Sequence, residues 1–384
     1  EAPCWLQLPA LGFRENMMAQ FSEGIPCIRI DREKNNLFLA RPEACSEELT
    51  EFYENYLRAE NTGDLTPFAL SSSYARGLGP FLERLSSPTG DTCPFVKGQV
   101  TGPLTFGLSI LDENGLPALF DETLEDVVRK GILMKALWQV ERLEPLGART
   151  ILFVDEPILA AFGSSAYINL SRERAVAILK ENFSAVKNKG ALVGSHCCGN
   201  TDWSLMVEAG VDIINFDAYV YMESFALYAE SLSDLLDRGG YLAWGIVPSQ
   251  SLATRPGPEE LFEMLTRGIE LLSEKGLSRQ KLVENLLVTT SCGLGTLTEE
   301  EAEAEEEEVV VAESPGLQME AAAVVEEFWS DAEYQESITW TDADVLNPEA
   351  PLYLQSLLDN KVDTSQYAME PPYNVCFSNA GVNN

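Results

Sequence analysis

The sequence predicts an α/β fold: a (β/α)8 TIM barrel with an N-terminal hairpin extension and an acidic, poorly ordered C-terminal tail. Three observations carry this expectation. Apolar strand-like runs alternate with amphipathic stretches from about residue 60 to residue 296, the pattern of repeated βα units and a parallel sheet. Asp155, His196, Asp217 and Cys292 all stand at the carboxyl ends of such runs, the face that carries chemistry in a barrel. The alternation then stops at Glu299.

The strands are expected at Phe68–Ser72, Phe95–Val100, Thr150–Val154, Leu192–His196, Ile213–Phe216, Tyr241–Gly245 and Leu286–Thr290. An early strand near Cys4–Leu8 brings the number to eight and closes the barrel, although an open doubly wound sheet would also bind ligand at its strand ends. Helices are expected at Leu124–Leu143, Ser171–Lys187, Ser204–Ala209, Ser231–Arg238 and Pro258–Glu274. In the last, Leu261, Leu265, Ile269 and Leu272 make a clean helical stripe. Cys27–Asp31 and Leu37–Ala40 flank Lys34-Asn35-Asn36 and read as a β-hairpin added before the barrel.

The chain therefore divides into a barrel over residues 1–298 and a tail over residues 299–384. Eight glutamates fall between Glu299 and Glu308, and after Lys281 the only basic side chain is Lys361. Like charges without basic partners oppose helix formation, so the tail is expected to hold one or two helices at most, the clearest at Ala321–Trp329. The tail deepens a formal net charge of −35. No basic patch is left to neutralise phosphates, which argues against nucleic acid as a partner. No apolar stretch reaches the roughly 18 residues of a membrane span, and no signal peptide is visible. Eight cysteines in 384 residues are too sparse for a disulfide framework, so a reducing, cytoplasmic location is expected.

The chemistry centres on the only histidine. His196 lies in Gly194-Ser195-His196-Cys197-Cys198-Gly199, directly after Ala191-Leu192-Val193. A strand alternates its side chains with a period of two, so His196 and Cys198 share a side while Cys197 faces the core. Imidazole and thiolate together suit a borderline-soft metal, Zn²⁺ above all. Cys292, in Thr289-Thr290-Ser291-Cys292-Gly293, follows the apolar run Leu286-Leu287-Val288 and supplies a third ligand. Asp217 is a candidate fourth, although an aspartate at a strand end also commonly caps the next helix. A substrate thiol entering such a shell loses its proton, which suits alkyl transfer to sulfur. Asp155, in Val154-Asp155-Glu156-Pro157, offers a carboxylate to a substrate ammonium group, or else an ion pair to a neighbouring loop. Thr101-Gly102-Pro103 makes a tight turn at another strand end. It either brings backbone close to substrate or only shapes the loop. The remaining cysteines, Cys4, Cys27, Cys45, Cys93 and Cys376, read as small hydrophobes.

Taken together, these segments resemble the carboxy-terminal catalytic barrel of cobalamin-independent methionine synthase, within the wider uroporphyrinogen-decarboxylase-like superfamily. The likeness runs from about Phe95 to Leu297, and more loosely over the first ninety residues. Val96 to Thr105 looks like the family's strand-three motif, and Val154-Asp155-Glu156-Pro157 like its Asp-Glu-Pro motif, whose aspartate recognises the amino group of homocysteine. His196-Cys197-Cys198 fits its His-x-Cys zinc pair and Ser291-Cys292-Gly293-Leu294 its terminal cysteine ligand. Asp217 stands where the family's glutamate ligand is expected. The resemblance thus implies a barrel, zinc, and homocysteine as methyl acceptor.

Three departures shape the expected reaction. Asp217 is one methylene shorter than the family's glutamate. The family's acid/base histidine after strand seven has no counterpart in Trp244-Gly245-Ile246-Val247-Pro248. The second, folate-binding barrel is also expected to be missing. A folate donor needs protonation to leave, whereas a methylcorrinoid donor does not. The expectation is therefore a short relative taking methyl from methylcobalamin, on a corrinoid protein. Rival readings are a methylcobalamin:coenzyme M methyltransferase, a uroporphyrinogen-type decarboxylase and a non-catalytic corrinoid or zinc carrier. The acidic Asp155 disfavours the sulfonate of coenzyme M, and three metal ligands disfavour the decarboxylase.

Overall fold

The computed structural model describes residues 2–31, 33–86, 94–164, 167–249 and 256–294. The acidic run, the helix expected at Ala321–Trp329 and the boundary at residues 298/299 lie outside them. The hairpin is present: β1 (Ile28–Asp31) pairs antiparallel with β2 (Asn36–Leu39), Ile28 opposite Leu39 and Asp31 opposite Asn36. Asn35 takes the positive φ of 47° that its turn demands.

Six parallel strands follow: β3 (Phe95–Thr101), β4 (Arg149–Asp155), β5 (Leu192–Cys197), β6 (Ile213–Phe216), β7 (Tyr241–Val247) and β8 (Leu286–Thr290). They lie in sequence order in one sheet, each joined to the next through helix, as parallel pairing requires. Helices Glu122–Leu143, Arg172–Asn188, Ser204–Ala209, Ala229–Asp237 and Pro258–Glu274 fall where the apolar periodicity puts them. Ser46–Thr62 is a further helix of 17 residues; it buries only Phe52 and Ala59, too sparse a stripe to register as periodicity. No helix among the described residues is long and apolar enough to cross a membrane.

The sheet is curled into a half-barrel. Ile151 and Phe153 of β4, Ile213 of β6 and Ala243 of β7 join one inner cluster with Phe95 of β3 and Leu287 of β8. These side chains line the inner, concave face from β3 to β8. The alternate residues, Val100, Leu152, Val154, Val193, Cys197, Ile214, Phe216, Leu242 and Trp244, pack outward into the larger helix-covered core. Gly194 on the inner face leaves room for the Phe153 ring, which a Cβ there would overlap.

Two expected strands take other forms. Phe68–Ser72 is not a strand: Thr66–Phe68 is a 3₁₀ turn with Pro67 near its start. Proline offers no N–H to a ladder. The Ser71 N–H goes instead to a Glu23 carboxylate oxygen at 2.8 Å, and the Tyr74 and Ala75 N–H groups turn back to the Ser71 carbonyl. Near Cys4–Leu8 there is a single parallel bridge, Cys4 with Lys97, and the Lys97 N–H donates to the Pro3 carbonyl at 2.8 Å. Past Cys4 side chains replace the ladder: the Gln99 amide donates to the Trp5 carbonyl at 3.0 Å, and the Trp5 indole N–H to the Gln139 amide oxygen at 3.0 Å.

Candidate metal centre

The sheet's curl brings β5 and β8 together at their carboxyl ends. Three strand spacings would separate them by about 14 Å in a flat sheet. Here His196 Nε2 and Cys292 Sγ are 4.0 Å apart. One ligand atom from each of His196, Cys198 and Cys292 lies within 4.8 Å of the others. Donors around a tetrahedral zinc, at about 2.0–2.3 Å from the ion, stand at nearly this separation. One nitrogen and two sulfurs are also a donor set that zinc favours over hard cations. Among the described residues this is the single group of three or more histidine, cysteine or acidic side chains so arranged.

Backbone and side-chain bonds hold each ligand in place. The His196 carbonyl accepts the Glu156 N–H at 2.9 Å, and its Nδ1 meets Asn215 Oδ1 at 2.6 Å. The imidazole is fully buried. Cys197 points the other way into the core, as the alternation requires, with its Sγ 3.8 Å from the Pro157 carbonyl. The Cys292 carbonyl accepts the Thr290 hydroxyl at 2.9 Å. One residue earlier, the Ser291 N–H donates to the Val247 carbonyl at 2.7 Å, and the Ser249 N–H to Ser291 Oγ at 3.0 Å. The turn carrying Cys292 is thereby tied to the end of β7.

These contacts bias protonation. Cys198 is held well below an ordinary thiol, first by a hydrogen bond from Cys292 and then by His196, against the cost of burial. Cys292 is pushed up as the donor of that pair, with burial adding to it. Burial is the largest single influence on His196 and would lower it, but the hydrogen bond and charge of Cys198, with Asp155 and Asn215, together outweigh it and the imidazole is raised. The contacts thus draw Cys198 toward the thiolate and raise the proton affinity of His196 beside it.

Asp155 and Asp217 flank the cluster without joining it. Asp217 is the N-cap of helix Ala218–Phe225, its Oδ1 accepting the Val220 N–H at 2.9 Å. Burial pushes its carboxyl up to about 6. Of its two expected roles, the structure places the cap. Asp155 ends β4 and is 3 % exposed, and its Oδ1 has no hydrogen-bond partner. Burial raises its carboxyl, while His196 and Lys97 pull it down. A buried carboxylate oxygen left unpaired is costly, and an incoming cation would relieve that cost.

Thr101 and Gly102 serve the fold. The Thr101 hydroxyl donates to the Met17 carbonyl at 2.8 Å. Gly102 makes room for the Glu156 carboxylate, which a Cβ there would overlap. Glu156 in turn accepts the Leu104 N–H at 2.9 Å and the Thr105 N–H and hydroxyl at 2.6 Å each, at the start of helix Pro103–Ser109. Burial pushes Glu156 up to about 7. Two further polar residues lie on the strands of the sheet: Asn215 interrupts the otherwise apolar β6, the signal by which sequence alone could have marked it, and Lys97 shares β3 with Gln99 and Thr101. Lys97 is fully buried, its Nζ 3.3 Å from Gln99 Oε1 and 4.9 Å from the centre of the Phe153 ring.

Comparison with models of known protein families and with curated proteins finds no match to this chain.

Proposed function

We propose that this protein is a zinc-dependent methyltransferase that forms methionine from homocysteine, built on a curled parallel β/α sheet related to the catalytic barrel of cobalamin-independent methionine synthase. The observation that carries the reading is the convergence of His196, Cys198 and Cys292 at the mouth of a curled parallel sheet. A zinc ion bound there supplies the positive charge that keeps an incoming thiol as thiolate at neutral pH. His196, Cys198 and Cys292 would hold it and leave a position open for substrate, the coordination of catalytic rather than structural zinc. Asp217, occupied as a helix cap, is not required as a fourth ligand.

Asp155 gives the reading its substrate class. Its unpaired Oδ1 suits the ammonium group of an amino-acid thiol, and a charge-assisted contact in a buried site is both strong and directional. A sulfonate would be repelled there, which favours homocysteine over coenzyme M. The donor we propose is a methylcorrinoid, delivered by a corrinoid protein. With such a donor the S–CH₃ bond would form as the Co–CH₃ bond broke, the electron pair staying with the corrinoid and the thiol proton having passed to solvent as the thiolate bound. No general acid is needed, and the chain's only histidine remains free to serve as a ligand.

The test is methyl transfer from methylcobalamin to L-homocysteine by the zinc-loaded protein, with coenzyme M as the alternative acceptor. Methionine formation that disappears in Cys292→Ala supports the proposal. Transfer to coenzyme M alone keeps the metal chemistry and overturns the acceptor. No transfer to either acceptor overturns the methyltransferase.

A further inference from the structure

We infer that Asn215 is a positioning residue that locks His196 in its Nδ1-protonated tautomer and so presents Nε2 to the metal, an inference that rests on the metal-centre reading above. Asn215 Nδ2 lies 3.0 Å from the Ala243 carbonyl oxygen and 2.9 Å from Thr289 Oγ1. A carbonyl only accepts, so the Asn215 atom facing Ala243 must be the donor NH₂, and the amide cannot be flipped. Its other end, Oδ1, then faces His196 Nδ1 at 2.6 Å. An amide oxygen only accepts, so Nδ1 must carry the proton. With Nδ1 committed as donor, the lone pair of the neutral imidazole is on Nε2, the atom that stands 4.0 Å from Cys292 Sγ.

The same amide spans the strands that carry the ligands. His196 on β5 is the register partner of Asn215 on β6. Asn215 in turn reaches Ala243 on β7 and Thr289 on β8, three residues before Cys292. His196, Asn215 and Thr289 are all buried, so water does not compete for these bonds. One asparagine therefore fixes the tautomer of the nitrogen ligand and links it to the strand bearing the second sulfur. Outer partners of this kind set both the orientation and the basicity of a ligating histidine.

Because the chain has a single histidine, long-range ¹H–¹⁵N spectra of zinc-loaded, ¹⁵N-histidine-labelled protein report this ring alone. The expected result is a proton on Nδ1 and metal on Nε2. Zinc on Nδ1 with a proton on Nε2 overturns the inference without any variant. In parallel, zinc affinity is measured by chelator competition for the parent and for Asn215→Leu, which keeps the volume and removes the acceptor. A loss of roughly 10- to 100-fold is expected, with the metal-free circular dichroism unchanged. An affinity within about twofold of the parent would show Asn215 to be packing only. If Asn215→Leu does not fold, Thr289→Val, which removes one of the two anchors of the amide, is expected to weaken zinc in the same direction. Failure of the parent itself to bind zinc would instead remove the metal centre, and this inference with it.

Discussion

At the scale of the residue, the three ligands are expected to act as one unit. Replacing Cys198, Cys292 or His196 by alanine should abolish stoichiometric zinc, measured by elemental analysis after dialysis, because two remaining donors cannot hold the ion against water. Asp155 should behave differently. Asp155→Asn is expected to retain zinc yet lose about 10- to 100-fold in kcat/KM for homocysteine, the worth of one charge-assisted contact of roughly 1.5–3 kcal/mol. Burial raises the Asp155 carboxyl, so its ionised form costs the folded state stability at neutral pH, and the substrate-free variant should melt higher than the parent. A variant with normal kinetics would remove Asp155 from substrate recognition. The ligands were legible in the sequence because the period of two is a property of any strand, which placed His196 and Cys198 on one side and Cys197 on the other. Asn215 could be marked as a polar break in an apolar strand, but its role was not legible, because its partners come from β5, β7 and β8 and only the sheet order brings them to it. Asp217 was legible as a choice between cap and ligand; its Oδ1 takes the Val220 N–H of the cap, and it stands outside the three-residue cluster.

At the scale of the element, the strands that hold the site depend on small inner residues and on helices with unusual cores. Gly194→Ala should destabilise by about 1–3 kcal/mol, the cost of overpacking, since the new Cβ meets the Phe153 ring. Phe153→Leu in the same chain should recover part of that loss, as contacting sites are not additive, and denaturant unfolding of the single and double variants checks it. Helix Glu122–Leu143 buries Lys135, whose ammonium is brought down to about 8 by desolvation. A lysine with a lowered folded pKa is a liability when charged: its stability deficit is complete below about pH 8 and disappears as pH rises toward its unfolded value near 10.4. Lys135→Met should therefore stabilise the protein at pH 7, by about 1–3 kcal/mol, and should flatten the rise in stability between pH 8 and pH 10. An unchanged melting temperature across that range would contradict this. The helices and six strands with strong periodicity were readable, as were both strands of the hairpin. Phe68–Ser72 was not, because five residues of mixed apolar and small character fit a turn as well as a strand until the destinations of the Ser71, Tyr74 and Ala75 N–H groups are known.

At the scale of the whole molecule, the His196, Cys198 and Cys292 cluster joins strands that are neighbours only because the sheet curls. Zinc should therefore act as a staple between β5 and β8 as well as a Lewis acid. Anything that binds the folded state alone stabilises it by mass action, by about 4 kcal/mol at a thousandfold excess over Kd. Chelation is expected to lower the melting temperature by several degrees and zinc, but not magnesium, to restore it. Equal melting with and without chelator would contradict a bound structural link. The alternation of strand and helix predicted this α/β architecture and its parallel sheet. The extent of the sheet was less accessible, because Cys4–Leu8 reads as a strand in sequence while its Trp5 engages the Gln99 and Gln139 side chains. The most direct test of the zinc–thiolate centre is X-ray absorption at the zinc edge of the purified, zinc-loaded protein. Two sulfurs and one histidine nitrogen are expected around the ion, with one sulfur lost in Cys292→Ser. A shell of nitrogen and oxygen alone, unchanged by that substitution, would contradict it.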